Sequence, residues 1–136
     1  LNTVRSAPIE HWPWFLERTG YAPSDGFQAI EAVNAAGRIV GMVGYDHWSP
    51  RSVQMHVALE RPGCCRRLLR EAFRYPFELC GIGCVVGITG LDSRSARMAE
   101  RLGFREVGRA PNAELVFWEM RRNECPWILQ SERRAA

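Results

Sequence analysis

The sequence predicts an α/β domain of the α+β kind, with a mixed central sheet of about six strands flanked by helices. Three observations predict it. Three strand-like runs come first, and the first two flank a glycine-bearing turn, Asn34-Ala35-Ala36-Gly37, which should pair them antiparallel. A long amphipathic helix then separates the third run from a fourth. Parallel pairing of Val53–Leu59 with Cys84–Thr89 requires such a crossover. From Cys84 to Phe104 an apolar run, a polar turn, a helically spaced series and a closing glycine follow one another.

The elements follow in order. Residues 1–25 should be helical or irregular: 1–8 carry no pattern, and Ile9 to Tyr21 is aromatic-rich, a short helix or two turns broken at Pro13. Trp12, Trp14 and Phe15 there either pack the core or wall a pocket. The paired strands are Phe27–Val33 and Arg38–Tyr45, where Gly41 and Gly44 predict close backbone approach or a bulge. A polar loop, Asp46 to Ser52, leads to the third strand, Val53–Leu59. The long helix spans Cys65 to Cys80, with Leu69, Ala72, Phe73, Pro76 and Cys80 on one face and arginines opposite. Pro76 should kink it, because proline removes an amide donor and crowds the preceding turn. Asp92 and Ser93 stand where the next helix needs its N-cap, Ala96, Ala99 and Leu102 recur at helical spacing, and Gly103 closes it. Strands Arg105–Arg109 and Ala113–Met120 follow, and residues 121–136 form a tail in which Pro126, Trp127, Ile128 and Leu129 dock and the last seven residues fray.

At 136 residues the chain reads as one domain, 1–136, large enough for a core without disulfide or metal staples. A formal charge of +3 suits a ligand carrying nucleotide phosphates. Arg61, Arg66, Arg67, Arg70 and Arg74 lack the motif and interleaved aromatics of a nucleic-acid binder. No basic-then-apolar leader and no apolar run of ~20 residues is visible, so membrane residence is not expected. Five cysteines make an odd set, read as reduced thiols in the cytoplasm. Cys80 and Cys84 have no second ligand pair at metal-site spacing, so no metal is expected.

The run Gly87 to Gly108, with Leu102-Gly103-Phe104 after its polar turn, resembles the second half of the Gcn5-related N-acetyltransferase (GNAT) fold. Asp92 stands where that family usually carries Asn. The order β-β-β-α-β-α-β-β after a helical N-terminus is similar to that fold over residues 26–120. A His on the third strand, Tyr75-Pro76-Phe77 and the Met120-to-Trp127 run resemble short, phage-associated or bacterial members. The resemblance implies an N-acetyltransferase that moves an acetyl group from acetyl-CoA to a primary amine by direct attack in a ternary complex. The alternative is a non-catalytic GNAT-fold module that binds acyl-CoA or a protein. A homodimer is compatible with either.

The resemblance also distributes roles. Family members cradle the pyrophosphate on a Gln/Arg-x-x-Gly-x-Gly/Ala loop. Here that place holds Gly63, Cys64 and Cys65, with Cys65 at the second glycine position. Arg66 and Arg67 in the first helical turn either bind phosphate or form a solvated face. Main-chain groups of Val57, Ala58 and Leu59 would pair with the pantetheine amides. Asp92 either bonds that arm or caps the helix. Ala99 occupies the place of the family's acid, a Tyr, leaving Ser95, a water or solvent to protonate the departing thiolate.

For general base, His56 leads, an imidazole between apolar neighbours on a central strand; the competing reading is a buried His satisfied by a carbonyl. His47 with Asp46 comes second and Glu31 third. The acceptor is not legible in the loops at 9–25, 46–52 and 109–114.

Overall fold

A seven-stranded sheet organises residues 2–128, which are those that the computed structural model describes. In chain order the elements are β1 (Thr3–Ser6), α1 (Trp12–Thr19), β2 (Gln28–Val33), β3 (Ile39–Asp46) and β4 (Ser52–Leu59), then α2 (Arg66–Arg74), β5 (Cys84–Gly90), α3 (Arg94–Leu102), β6 (Arg105–Ala110) and β7 (Leu115–Arg121). The strands lie in the order β1-β2-β3-β4-β5-β7-β6, and every pairing is antiparallel except β4 with β5.

Strand alternation sends side chains to two covers. On one face Val43, Tyr45, Val53 and Val85 pack under α2 and α3, against Leu69, Phe73, Ala99 and Leu102. On the other face Met42 and Ala58 pack against Phe15 of α1 and against Phe27. Gly41 and Gly44 mark close approaches: a Cβ on Gly44 would overlap the Phe27 ring, and one on Gly41 would lie 2.8 Å from Leu68 Cδ2. The register also shifts beside Gly41: Ala32 pairs with Gly41 and Val33 with Ile39, which leaves Val40 as the extra residue on β3.

Three features depart from the expectations. The N-terminal segment contributes a strand, β1, paired with β2 from Thr3↔Val33 to Ser6↔Ile30, which makes seven strands where about six were expected. Four residues with one apolar side chain leave too short a pattern to read. The long helix also meets Pro76 by widening: α2 passes into a π turn over Tyr75–Leu79, closed by Cys80 N–H donating to Tyr75 O at 3.1 Å. The Ala72 carbonyl, four residues before Pro76 and without its amide partner, accepts the Tyr45 hydroxyl at 2.6 Å. Finally, Arg121 ends β7 and so belongs to the sheet, ahead of a tight turn over 122–124. Trp127 Nε1 then donates to Leu102 O at 2.7 Å, and Ile128 is buried. Leu129 and the final seven residues, expected to dock and to fray, lie outside the described residues.

Candidate active site in the strand splay

β4 and β5 pair only at their first residues, Ser52↔Cys84, Val53↔Val85 and Gln54↔Val86. Beyond Gln54 they separate. β4 continues to Leu59 bonded only to β3, while β5 continues to Gly90 bonded only to β7. Each strand therefore turns an unpaired main-chain edge toward the gap, and a buried edge needs partners. The gap opens a cleft of about 650 Å³, floored by Met55, Ala99, Leu102 and Trp118 and bordered by Tyr21 and His56.

His56 is two residues past the last parallel pair. Its Nε2 lies 2.8 Å from Asp46 Oδ1, and its imidazole, 11% exposed, lines the cleft. Tyr21 stacks on the ring with centroids 3.8 Å apart and 23° between planes, while Phe15 meets it edge-on from α1. Asp46 is fully buried and takes four donors: the Tyr21 hydroxyl, Ser24 Oγ at 2.8 Å, His56 Nε2, and His47 Nδ1 at 3.1 Å.

The electrostatics follow. Burial pushes the Asp46 carboxyl up, but the donors Tyr21, His56, His47 and Ser24 outweigh it and hold the carboxyl well below the usual range. Asp46 is thus a carboxylate. Burial lowers the His56 imidazole, and the Asp46 hydrogen bond and charge oppose that only in part, so His56 is neutral at neutral pH. A neutral imidazole facing a carboxylate carries its proton on Nε2. Nδ1 keeps a lone pair. Burial, and then the hydrogen bond and charge of Asp46, push the Tyr21 phenol up to about 12, which keeps it a donor.

The other expected residues divide. Val57, Ala58, Leu59 and Ser95 line the cleft, the first three along the unpaired edge of β4. His47 is mostly exposed and bonds the same Asp46 oxygen as His56, but it does not line the cleft. Glu31 is fully buried and spent on Arg5 Nε and His11 Nδ1, each at 2.8 Å, also off the cleft. Asp92 is exposed with φ 49°. The cap of α3 is Ser93, whose Oγ accepts from Ala96 N–H at 3.0 Å.

Gly63 (φ 82°) and Cys65 (φ 66°) are left-handed, and no side chain caps the amides opening α2. The Cys64 and Cys65 sulfurs lie 3.0 Å apart, and burial together with Cys64 pushes the Cys65 thiol up to about 12. Arg66 lies over the Trp127 ring at 5.7 Å, and Arg67 Nη1 donates to Asn2 O at 3.4 Å. Neither arginine lines the cleft; Arg18 and Arg94 do.

Tyr21, Ser24, Arg18 and Arg94 escaped the sequence reading. The aromatic density of residues 9–21 was a signal for Tyr21; a serine before Asp25-Gly26 reads simply as a turn. Trp12 and Phe15 pack against Phe27, and Trp14 lies under the Arg18 guanidinium, so none of the three walls the cleft. Among the described residues no group of three or more His, Cys, Asp or Glu side chains is placed to hold a metal ion, and no helix is long and apolar enough to cross a membrane.

A scan against models of known protein families found no match, and a search of curated proteins found none. Solved structures do match. Spermidine N-acetyltransferase from Vibrio cholerae in complex with CoA and spermine superposes with a TM-score of 0.73 at 12% identity, covering 90% of this chain and 96% of that one. N-acetyltransferase PseH from Campylobacter jejuni gives a TM-score of 0.66 at 8% identity, covering 89% and 98%. With a mixed sheet opened between β4 and β5 and helices on both faces, the chain has the Gcn5-related N-acetyltransferase fold.

Proposed function

We propose that this protein is an acyl-CoA-dependent N-acyltransferase that transfers the acetyl group of acetyl-CoA to a primary amine by direct attack in a ternary complex. One observation carries the reading: a carboxylate-oriented imidazole stands where two parallel strands part and leave their facing edges unpaired.

The pantetheine arm fits the splay, where main-chain groups of Val57, Ala58 and Leu59 take its amides in place of β5. The uncapped first turn of α2, with the left-handed Gly63 and Cys65 before it, suits the pyrophosphate, as does the Arg66 guanidinium; Cys64 N–H is taken by the Arg61 carbonyl at 3.3 Å. Arg67 is turned toward β1 and adds only long-range charge.

In the transfer, His56 Nδ1 takes the proton of the attacking nitrogen as the C–N bond forms at the thioester carbonyl. The C–S bond then breaks, and CoA leaves as a thiolate protonated by water or Ser95, since Ala99 offers no hydroxyl. Asp46 positions His56 and stabilises the imidazolium that forms. A thioester on Cys64 or Cys65 is not part of the route, because both sulfurs lie off the cleft. The chain works as one domain whose five free thiols suit a reducing, cytoplasmic setting.

The test is release of CoA thiol from acetyl-CoA with a panel of primary amines, with the acetylated amine identified by mass. Amine-dependent release is the expected result. Saturable acetyl-CoA binding with no release for any amine would replace this reading with that of a non-catalytic acyl-CoA-binding module.

A further inference from the structure

The cleft is lined from both faces of the sheet, and its two sides differ in chemistry. On the α3 side its floor is core: Met55, Ala99, Leu102 and Trp118. On the α1 side stands His56, and next to it the splayed half of β5. Thr89 Oγ1 accepts Trp118 Nε1 at 2.8 Å, which fixes Thr89 on the α3 side and places its neighbour Ile88 on the side of His56. Ile88 lines the cleft yet remains 44% exposed, an isoleucine left wet beside the candidate base.

Ile88 is not alone. Its cross-strand partner is Phe117, and Val86 shares its face two residues earlier. All three lie outside both core clusters. Gly108 sits opposite Phe117 on β6 and adds no side chain over the ring; a Cβ there would meet nothing within 4 Å. Helix α1 packs on β4, and on this surface Val86 and Phe117 are half-buried while Ile88 is exposed.

Charge points the same way. Glu60 is the one carboxylate among the described residues that line the cleft, and it is paired with Arg18 at 3.6 Å. Asp46 is buried behind four donors. With Arg18 set against Glu60, the remaining fixed charge on the lining is the Arg94 guanidinium. A polycation approaching His56 would meet the Arg94 guanidinium and no free acid, since Glu119, opposite Val86, is paired with Arg105 at 2.9 Å.

We propose that the acceptor is a small primary amine carried on an apolar, aromatic or branched body, which lies on Val86, Ile88 and Phe117 and brings its nitrogen to His56. The proposal rests on the N-acyltransferase reading. The patch runs without a break into the cleft through Ile88, which commits it to the acceptor. Because about 650 Å³ must also hold the end of the pantetheine arm, the space left suits a small molecule.

The experiment compares kcat/KM for 2-phenylethylamine, spermidine and a tripeptide amide with an N-terminal Phe, at saturating acetyl-CoA, in wild type and Ile88→Asp. The expected result is at least a ~tenfold preference for 2-phenylethylamine over both others, the scale on which apolar contacts discriminate. Ile88→Asp, at an exposed position that tolerates it, should reverse the order of 2-phenylethylamine and spermidine. A preference for spermidine in wild type, an unchanged ratio in the variant, or a preference for the peptide would each overturn the proposal while leaving N-acyl transfer standing. Absence of thiol release with all three amines and with the wider panel would overturn both.

Discussion

His56 and Asp46 meet diagonally across the β3–β4 pair. His56 is registered against Gly44, two residues before Asp46 on the same face of the sheet, and its Nε2 reaches Asp46 Oδ1 at 2.8 Å. Gly44 makes the arrangement possible, since its missing side chain admits the Phe27 ring that packs beside both α1 and His56.

His56→Gln should lower turnover by ~10²- to 10⁴-fold, the usual size of general-base assistance, with little change in CoA affinity. The wild-type kcat/KM should hold through neutral pH and fall on the acid side of the ordinary imidazole range, because burial holds His56 down. Asp46→Asn removes the group that raises the His56 pKa, so its acid limb should move to lower pH while the plateau drops. A pH profile of thiol release in the three proteins checks both statements.

Stability should carry the same signature. The folded His56 pKa is below its unfolded value, so the neutral imidazole contributes fully above about pH 6.5, and that contribution is lost as pH falls through the folded pKa. Asp46 is depressed likewise; its contribution is complete above about pH 4 and is lost at more acid pH. Thermal melts from pH 8 to 3 should therefore decline in two stages. Asn at position 46 should abolish the lower stage and cost about 1–3 kcal/mol at pH 7 by leaving buried donors poorly paired. A melt insensitive to pH between 7 and 5 would contradict the assignment for His56.

Much of this frame was legible in the sequence, and the gaps have physical causes. The succession of strands from β2 onward and the crossover helix follow from periodicity and from the Asp92-to-Phe104 run, while the pantetheine edge on β4 came only with the family resemblance. His56 stood out as a titratable group in an apolar strand. Its partners did not. Tyr21 and Ser24 lie 25 and 22 residues from Asp46, on a segment with no regular period, and only the packing of α1 over the sheet brings them to one carboxylate. Glu31 reads like any acid on a strand until β1, four residues long, delivers Arg5 to it. The arginines at the head of α2 looked alike, yet one lies over Trp127 and the other is bonded to the Asn2 carbonyl.

Gly44→Ala should destabilise by about 1–3 kcal/mol, the cost of overpacking, because its Cβ would overlap a buried phenylalanine ring. It should also lower turnover by disturbing Phe27 and His56. Gly108→Ala, where a Cβ meets nothing, should leave the melting temperature within a degree or so. Differential scanning calorimetry of the two variants makes the comparison.

Arginines should differ in their bearing on the donor. Arg94 lines the cleft, whereas Arg67 is held toward β1. Arg94→Glu should therefore weaken acetyl-CoA binding by about tenfold, the order expected for one charge-assisted contact, and Arg67→Glu by much less. Thermal shift against acetyl-CoA concentration reads this directly, since saturation at a hundredfold excess over Kd adds ~2.7 kcal/mol.

The acyl donor should occupy the gap between the diverging strands, and a crystal structure of the complex with CoA would show it there. The pantetheine arm should lie between Met55–Leu59 and Gly87–Gly90, its amides bonded to the main chain of β4 and its sulfur beside Ala99 on one side and His56 on the other. CoA bound anywhere else on the molecule, or β4 and β5 paired along their whole length with the cleft closed, would contradict it.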